Sequence, residues 1–215
     1  MSSILALLTA IVIVMIGVLR ERKPLRPAAP TFVKRYVHPG HAWLRILDDG
    51  EVLVGIDDFA QACVGDVDDV RLPHLVERVE QGSVAFHLVH GKRVLPMLSP
   101  VTGWVIEKNQ LLEHAPTLVN SAPLNEGWLF KVHPHRLHPQ LRNLMTGKWA
   151  HHWQDAVRTQ LNRFFSASPV LMYQDGGVML HNLSDRCSDR EWESLVHEYF
   201  LIDENPYAQH KEYLS

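Results

Sequence analysis

Apolar and polar positions divide the chain into three stretches of different character. Residues 1–19, MSSILALLTAIVIVMIGVL, hold no charged side chain and are dominated by Ile, Leu, Val and Ala. A helix of about 19 residues, rising ~1.5 Å each, reaches roughly 28 Å, close to the ~30 Å of a bilayer's hydrocarbon core. A single transmembrane helix is expected there. The basic residues Arg20, Arg22, Lys23 and Arg26 follow the apolar run at once. A signal peptide would carry its basic residues first, so the order indicates an uncleaved anchor. Basic flanks stay on the cytoplasmic side, which puts the rest of the chain in the cytoplasm, attached to the cytoplasmic membrane by one pass. Residues 20–35 include KPLRPAAPT, with prolines and no periodicity, and read as a stiff spacer.

From residue 36 to 134 the pattern is mainly β. In AWLRILDDGEVLVGI, Leu44 and Ile46 alternate with Arg45, Asp48-Asp49-Gly50 forms a turn, and Val52-Leu53-Val54 returns as the second arm of a hairpin. DDFAQACVG offers Asp57 or Asp58 as an N-cap, apolar Phe59, Ala62 and Cys63, and Gly65 as a stop, the marks of a short helix. Further strands are expected over residues 67–72, 84–89, 94–98, 104–107 and 128–132, with Gly, Pro or Asn between them. Short strands at such spacing make a barrel or sandwich. Trp43, Trp104 and Trp128 belong to its core or rim. The acidic run Asp66, Asp68, Asp69 alternates with Val67 and Val70 and reads as the outer face of a strand.

Residues 135–215 return to a helical period. Leu141, Leu144, Trp149, Trp153, Val157, Leu161 and Phe164 recur at helical intervals, interrupted by Gly147, and predict an amphipathic helix or helix pair. Its stripe of Trp149, Trp153, Val157 and Leu161 is expected to pack on the barrel or on a last helix, Arg190–Phe200, capped by Ser188 or Asp189. That helix presents Trp192, Leu195, Val196, Tyr199 and Phe200 on one side.

Composition narrows the function. With 46% hydrophobic residues the chain can fill a core, and with 21 basic against 24 acidic residues it has no positive field to gather nucleic acid. Cys63 and Cys187 are far apart and lack CxxC spacing, which argues against a disulfide framework or a thiolate zinc site. Histidine is plentiful, and KVHPHRLHP brings His133, His135 and His138 together. They form a candidate metal-binding group without a carboxylate or thiolate in register, on a segment whose prolines mark the exit from the barrel.

Four fragments, HAWLRI at 41–46, VGIDDFAQACVGDVDDVRLP at 54–73, SPVTGWVIEKN at 99–109 and TLVNSAPLNEGWLFKV at 117–132, closely resemble the H-protein of the glycine cleavage system, in that family's order and spacing. The resemblance covers about residues 36–134, nearly half the chain. It implies a flattened β-barrel of the lipoyl-domain type, a barrel-sandwich hybrid with a small helix. It also implies a protein that is not an enzyme by itself. The family's lipoyl lysine lies at a hairpin tip, seven residues before the Ala or Ser that opens the SPVTG-like turn, and counting back from Ser99 gives Lys92. Lys92 is therefore the implied site of covalent lipoate attachment. The implied partners are glycine decarboxylase, which loads an aminomethyl group, a folate-dependent aminomethyltransferase and dihydrolipoamide dehydrogenase, or another membrane-associated complex. Two positions depart from the family's pattern: Val89 stands where an acidic residue is usual, and Arg93 where a small one is. Two other readings stay open, a non-lipoylated docking module that uses the C-terminal helices as its contact, and a metal-handling protein built on the histidines.

Overall fold

A computed structural model describes residues 34–166, in backbone only from 162 onward, and residues 182–201. The expected membrane span over residues 1–19 lies outside the described residues, as does the spacer up to residue 33. Among the described residues no helix is long and apolar enough to cross a membrane.

The fold begins with strands β1 (Arg35–Val37), β2 (Ala42–Ile46) and β3 (Val52–Ile56), followed by helix α1 (Asp58–Val64). The β2–β3 turn falls on Asp48-Asp49-Gly50 as the sequence predicts, with Leu47 and Glu51 closing it through a 2.8 Å hydrogen bond. Asp57 caps α1 by accepting from Ala60 N, and Gly65 ends it at a positive φ of 81°. There follow β4 (Asp69–Arg71), β5 (Arg78–Val79), β6 (Val84–His90), β7 (Arg93–Leu98) and β8 (Gly103–Lys108), then the short helix α2 (Leu118–Ser121) and β9 (Phe130–Pro134). The C-terminal part holds α3 (Leu137–Gln140), β10 (Met145–Thr146), α4 (Lys148–Ser166), α5 (Leu183–Arg186) and α6 (Asp189–Phe200).

The described strands form two antiparallel sheets. One has the order β10-β1-β2-β3-β9-β8-β5 and the other β4-β6-β7. They share one core, in which Phe86 of β6 meets the ring of Phe130 of β9 edge-on at 5.6 Å. Trp43 pairs across the sheet with Gly55, and any side chain at Gly55 would put its Cβ 2.2 Å from the indole, so the position needs glycine. The fold is mainly β, with its helices concentrated after residue 134. The sheet does not stop at that expected boundary, because β10 adds Met145 and Thr146 beside β1.

The C-terminal helices complete the same core. Trp192, Leu195, Val196 and Phe200 of α6 are buried together with Phe59, Cys63 and Leu88. The apolar side of α6 is therefore used within the chain and is not the contact surface that the docking reading calls for. One expectation fails on α4, where Trp149 is 78% exposed while Ala150, Val157 and Leu161 face inward. Trp153 is half-buried, its ring stacked at 4.8 Å on His41. Of the three tryptophans expected at the core or rim, Trp43 is buried, Trp128 half-buried and Trp104 exposed. A second correction concerns Asp66, Asp68 and Asp69. Only Asp69 is in β4; residues 66–68 form a bend with Val67 buried beneath it.

Candidate functional site

Strands β6 and β7 pair down to His90 opposite Arg93, leaving Gly91 and Lys92 as a two-residue turn. Gly91 has φ of 53° and Lys92 does not share that sign. A single positive φ at the first central position is the type II′ pattern, whose twist matches the strands and which favours glycine there. Lys92 is exposed at the tip and makes no hydrogen bond or ion pair with any described residue. An added Cβ on Gly91 would meet nothing within 4 Å, so the space around the tip is open.

The residues on either side of the lysine are held firmly. Gly91 N donates to the Asp68 carboxylate at 2.6 Å, and one ring nitrogen of His90 lies 2.5 Å from the Asp66 carbonyl. The other ring nitrogen reaches Asp185 of α5 at 3.0 Å, and Asp68 stands 3.5 Å away. Burial alone would lower the His90 pKa, but the bond to the Asp66 carbonyl, the bond to and charge of Asp185, and the charge of Asp68 outweigh it and raise the value above 6.5. With an acceptor at each nitrogen, the ring is best satisfied when it carries both protons.

The bend at 66–68 is fixed by a side chain from α2. Asn120 donates to the Gly65 carbonyl at 2.8 Å and accepts from Val67 N at 3.0 Å. On the opposite flank, Arg93 donates to the carbonyl of Cys187 at 2.8 Å and pairs with Asp189 at 2.7 Å, with a longer bond to the Ser184 carbonyl. Its guanidinium also lies over the Trp192 ring, 5.8 Å from the centroid. Ser184 ties this segment back to α1 through a 2.6 Å bond to the Val64 carbonyl.

A second polar cluster sits inside the body. His41, fully buried, lies 2.9 Å from Asp57 and is stacked on Phe59 at 4.0 Å, with Trp153 and Phe200 also against it. This joins the turn before β2 to α1, α4 and α6, and Gln154 adds a bond to the same carboxylate. His38 begins the turn before it, accepting from Gly40 N at 2.9 Å. Burial, then the charge of His41, lowers its pKa to about 4.

The histidines of the metal reading do not gather. His133 faces Glu51 at 2.9 Å, while His135 and His138 are exposed. Among the described residues no group of three or more His, Cys, Asp or Glu is placed to hold a metal ion. Sequence reasoning placed Lys92 at a hairpin tip, where the structure has it, but missed Asp68, Asp185 and Asn120. Their contacts with the hairpin and its supporting bend cross 23 to 95 residues of chain. The available signal was the pair of departures around the lysine, one of which, Arg93, is a principal contact with the C-terminal segment.

The family model described as glycine cleavage H-protein matches residues 34–156. A probable glycine cleavage system H protein of Thermococcus gammatolerans is 42% identical over 110 residues, 51% of this chain and 81% of its own length. The glycine cleavage system H protein of Teredinibacter turnerae is 46% identical over 94 residues, 44% of this chain and 72% of its own. A crystal structure of a glycine cleavage system H protein from Mycobacterium marinum is 30% identical, covering 47% of this chain and 84% of that one, with a TM-score of 0.45. The matched range contains Lys92 and ends within α4, so α5 and α6 lie beyond it.

Proposed function

We propose, because this chain belongs to the glycine cleavage H-protein family, that it carries lipoate in amide linkage on Lys92 and passes a bound intermediate between enzymes. Proteins of this family are non-catalytic lipoyl carriers, and lipoate is their cofactor. The single observation that carries the assignment of the lysine is its position: an exposed turn residue without partners among the described residues, seven before Ser99.

The residues present suit the group. Lipoate supplies, when bound, a cyclic disulfide that takes up two electrons and a small carbon fragment. Lys92 adds four methylenes of flexible stem, which lengthens the reach of the arm. The turn beneath it stays put, because the Asp68 carboxylate holds Gly91 and the C-terminal segment holds Arg93. A mobile arm on a fixed base is what visiting several partner sites requires, since the base sets the local concentration of the tip. The partners on this reading are glycine decarboxylase, aminomethyltransferase and dihydrolipoamide dehydrogenase, or another assembly at the membrane.

Residues 1–19 tether the carrier to the cytoplasmic membrane with its body in the cytoplasm. The uncharged run and the basic residues after it support this. Protease added to intact cells should leave the body uncut, and digestion there would reverse the topology.

The non-lipoylated docking reading draws on Val89 and Arg93, which depart from the family's pattern at the turn. One measurement separates the two. Intact mass of the chain purified from its own host should show a lipoyl adduct that disappears in Lys92→Arg. A bare wild-type chain would overturn the carrier reading in favour of docking.

A further inference from the structure

The turn that carries Lys92 stands on a base that two distant parts of the chain build. The hairpin supplies His90, Gly91, Lys92 and Arg93, and residues 184–189 stand directly against both residues at its base. Asp185 meets the His90 ring, while the Ser184 and Cys187 carbonyls and the Asp189 carboxylate meet Arg93. The segment is not a loose tail, because α6 buries Trp192 fully and Ser184 is bonded to the Val64 carbonyl.

We infer that the segment Leu183–Asp189 is a built part of the Lys92 attachment site, so that the enzyme which acylates this lysine recognises hairpin and segment as one surface. This rests on the reading of Lys92 as the lipoylated residue. In the step itself the unprotonated Nζ attacks the carbonyl carbon of an activated lipoyl donor, a mixed anhydride with phosphate or a thioester. The C–N amide bond forms, the donor's C–O or C–S bond breaks and its electron pair leaves with the phosphate or thiolate, and the amine proton passes to solvent. None of these bonds involves Arg93, His90 or Asp185. They act as positioning residues, by holding the two residues at the base of the turn from which Lys92 projects.

Arg93 is the residue to test, since one side chain spans three parts of the segment. The full chain and its Arg93→Ala, Arg93→Lys and Asp189→Asn variants are offered to a lipoate-attaching enzyme with lipoate and ATP. Intact mass is followed at a series of chain concentrations. Arg93→Ala should raise KM for the chain by about ten- to a hundredfold with a smaller change in kcat, the signature of a lost recognition surface and not of altered chemistry. Arg93→Lys should recover part of the loss, because it keeps the charge facing Asp189 but not the bonds to the carbonyls. Asp189→Asn, exposed and peripheral to the core, guards against a variant that merely fails to fold and should show an intermediate KM. Acylation of Lys92 by a small activated ester should proceed equally in all four chains. If Arg93→Ala and Asp189→Asn keep the wild-type KM while the wild type is loaded, the inference fails and the lipoyl reading stands. If the wild type itself takes no lipoyl group, both fail.

Discussion

Asp57 shows how much one carboxylate can organise. It accepts from Ala60 N at 3.0 Å, from His41 at 2.9 Å and from Gln154 at 3.2 Å, so it caps α1, orients a buried imidazole and restrains α4. Asp57→Ala removes the cap and leaves His41 without its acceptor, and should cost about 2–4 kcal/mol of unfolding free energy. Asp57→Asn keeps an acceptor for Ala60 and should cost less than half of that; equal urea midpoints for wild type and Asp57→Ala would refute the account. Two histidines give the stability opposite pH slopes. His38 has its folded pKa pulled from 6.5 to about 4, first by burial and then by the His41 charge, so its contribution is present above 6.5 and is lost as pH falls toward 4. At ~1.36 kcal/mol per unit the loss approaches about 3 kcal/mol. His90 has its folded pKa raised, so its contribution is complete below 6.5 and disappears as pH climbs through the folded value. Urea midpoints measured against pH should lose their acid slope in His38→Asn, which keeps an acceptor for Gly40 N, and lose the alkaline slope in His90→Gln. A wild-type acid slope in His38→Asn would assign the loss to other groups.

At the scale of elements, the hairpins and α1 were legible because their punctuation is chemical: Asp-Asp-Gly, Asp57 before Phe59, and Gly-Lys each demand a particular backbone. The tip position of Lys92 was legible for the same reason, given its spacing to Ser99. The inward side of α4 was misread at one position, and the geometry shows why. Trp149, Trp153 and Val157 are four apart, and at ~100° per residue a strict four-residue repeat drifts by about 40° each step. Ala150, Val157 and Leu161 are separated by seven and eleven residues from the first, which returns them to within about 20° of one line. These are the residues that are buried. Trp149→Ala should therefore change stability by less than about 0.5 kcal/mol, the usual range for a surface position. Trp192→Ala, from a site with 0% exposure, should cost about 3–5 kcal/mol. Urea unfolding of both variants compares them directly, and a large cost at Trp149 would contradict the packing of α4. The bend at 66–68 was not legible, because what turns it out of the strand is Asn120, more than fifty residues later. Alternating Asp and Val gives no sign of such a partner.

For the molecule as a whole, the question is whether the C-terminal segment and the two-sheet body open together or separately, and the two thiols can report on it. Cys63 lies on α1 and Cys187 follows α5, and both are buried. Burial, then the charges of Asp57 and Cys187, pushes the Cys63 thiol far above its ordinary value. Burial and Glu191 push Cys187 up to about 11, with Arg93 opposing them. Neither is a thiolate at neutral pH in the closed form, so a thiol reagent reads opening rather than chemistry. The segment is joined to the body by Trp192, Leu195, Val196 and Phe200 in the core, by Ser184 on Val64 and by Arg93 on Cys187 and Asp189. Apolar contacts of that extent and polar contacts at both ends make separate release unfavourable, so Cys63 and Cys187 should be labelled at one shared slow rate. Arg93→Ala should speed both by roughly thirtyfold, the equivalent of about 2 kcal/mol for bonds from a charged donor. Rapid labelling of Cys187 with Cys63 still protected would mean that the segment detaches alone. The base beneath Lys92 would then be assembled only part of the time, and the rate of attachment at that lysine would follow the docking of α5 and α6 instead of the geometry of the hairpin.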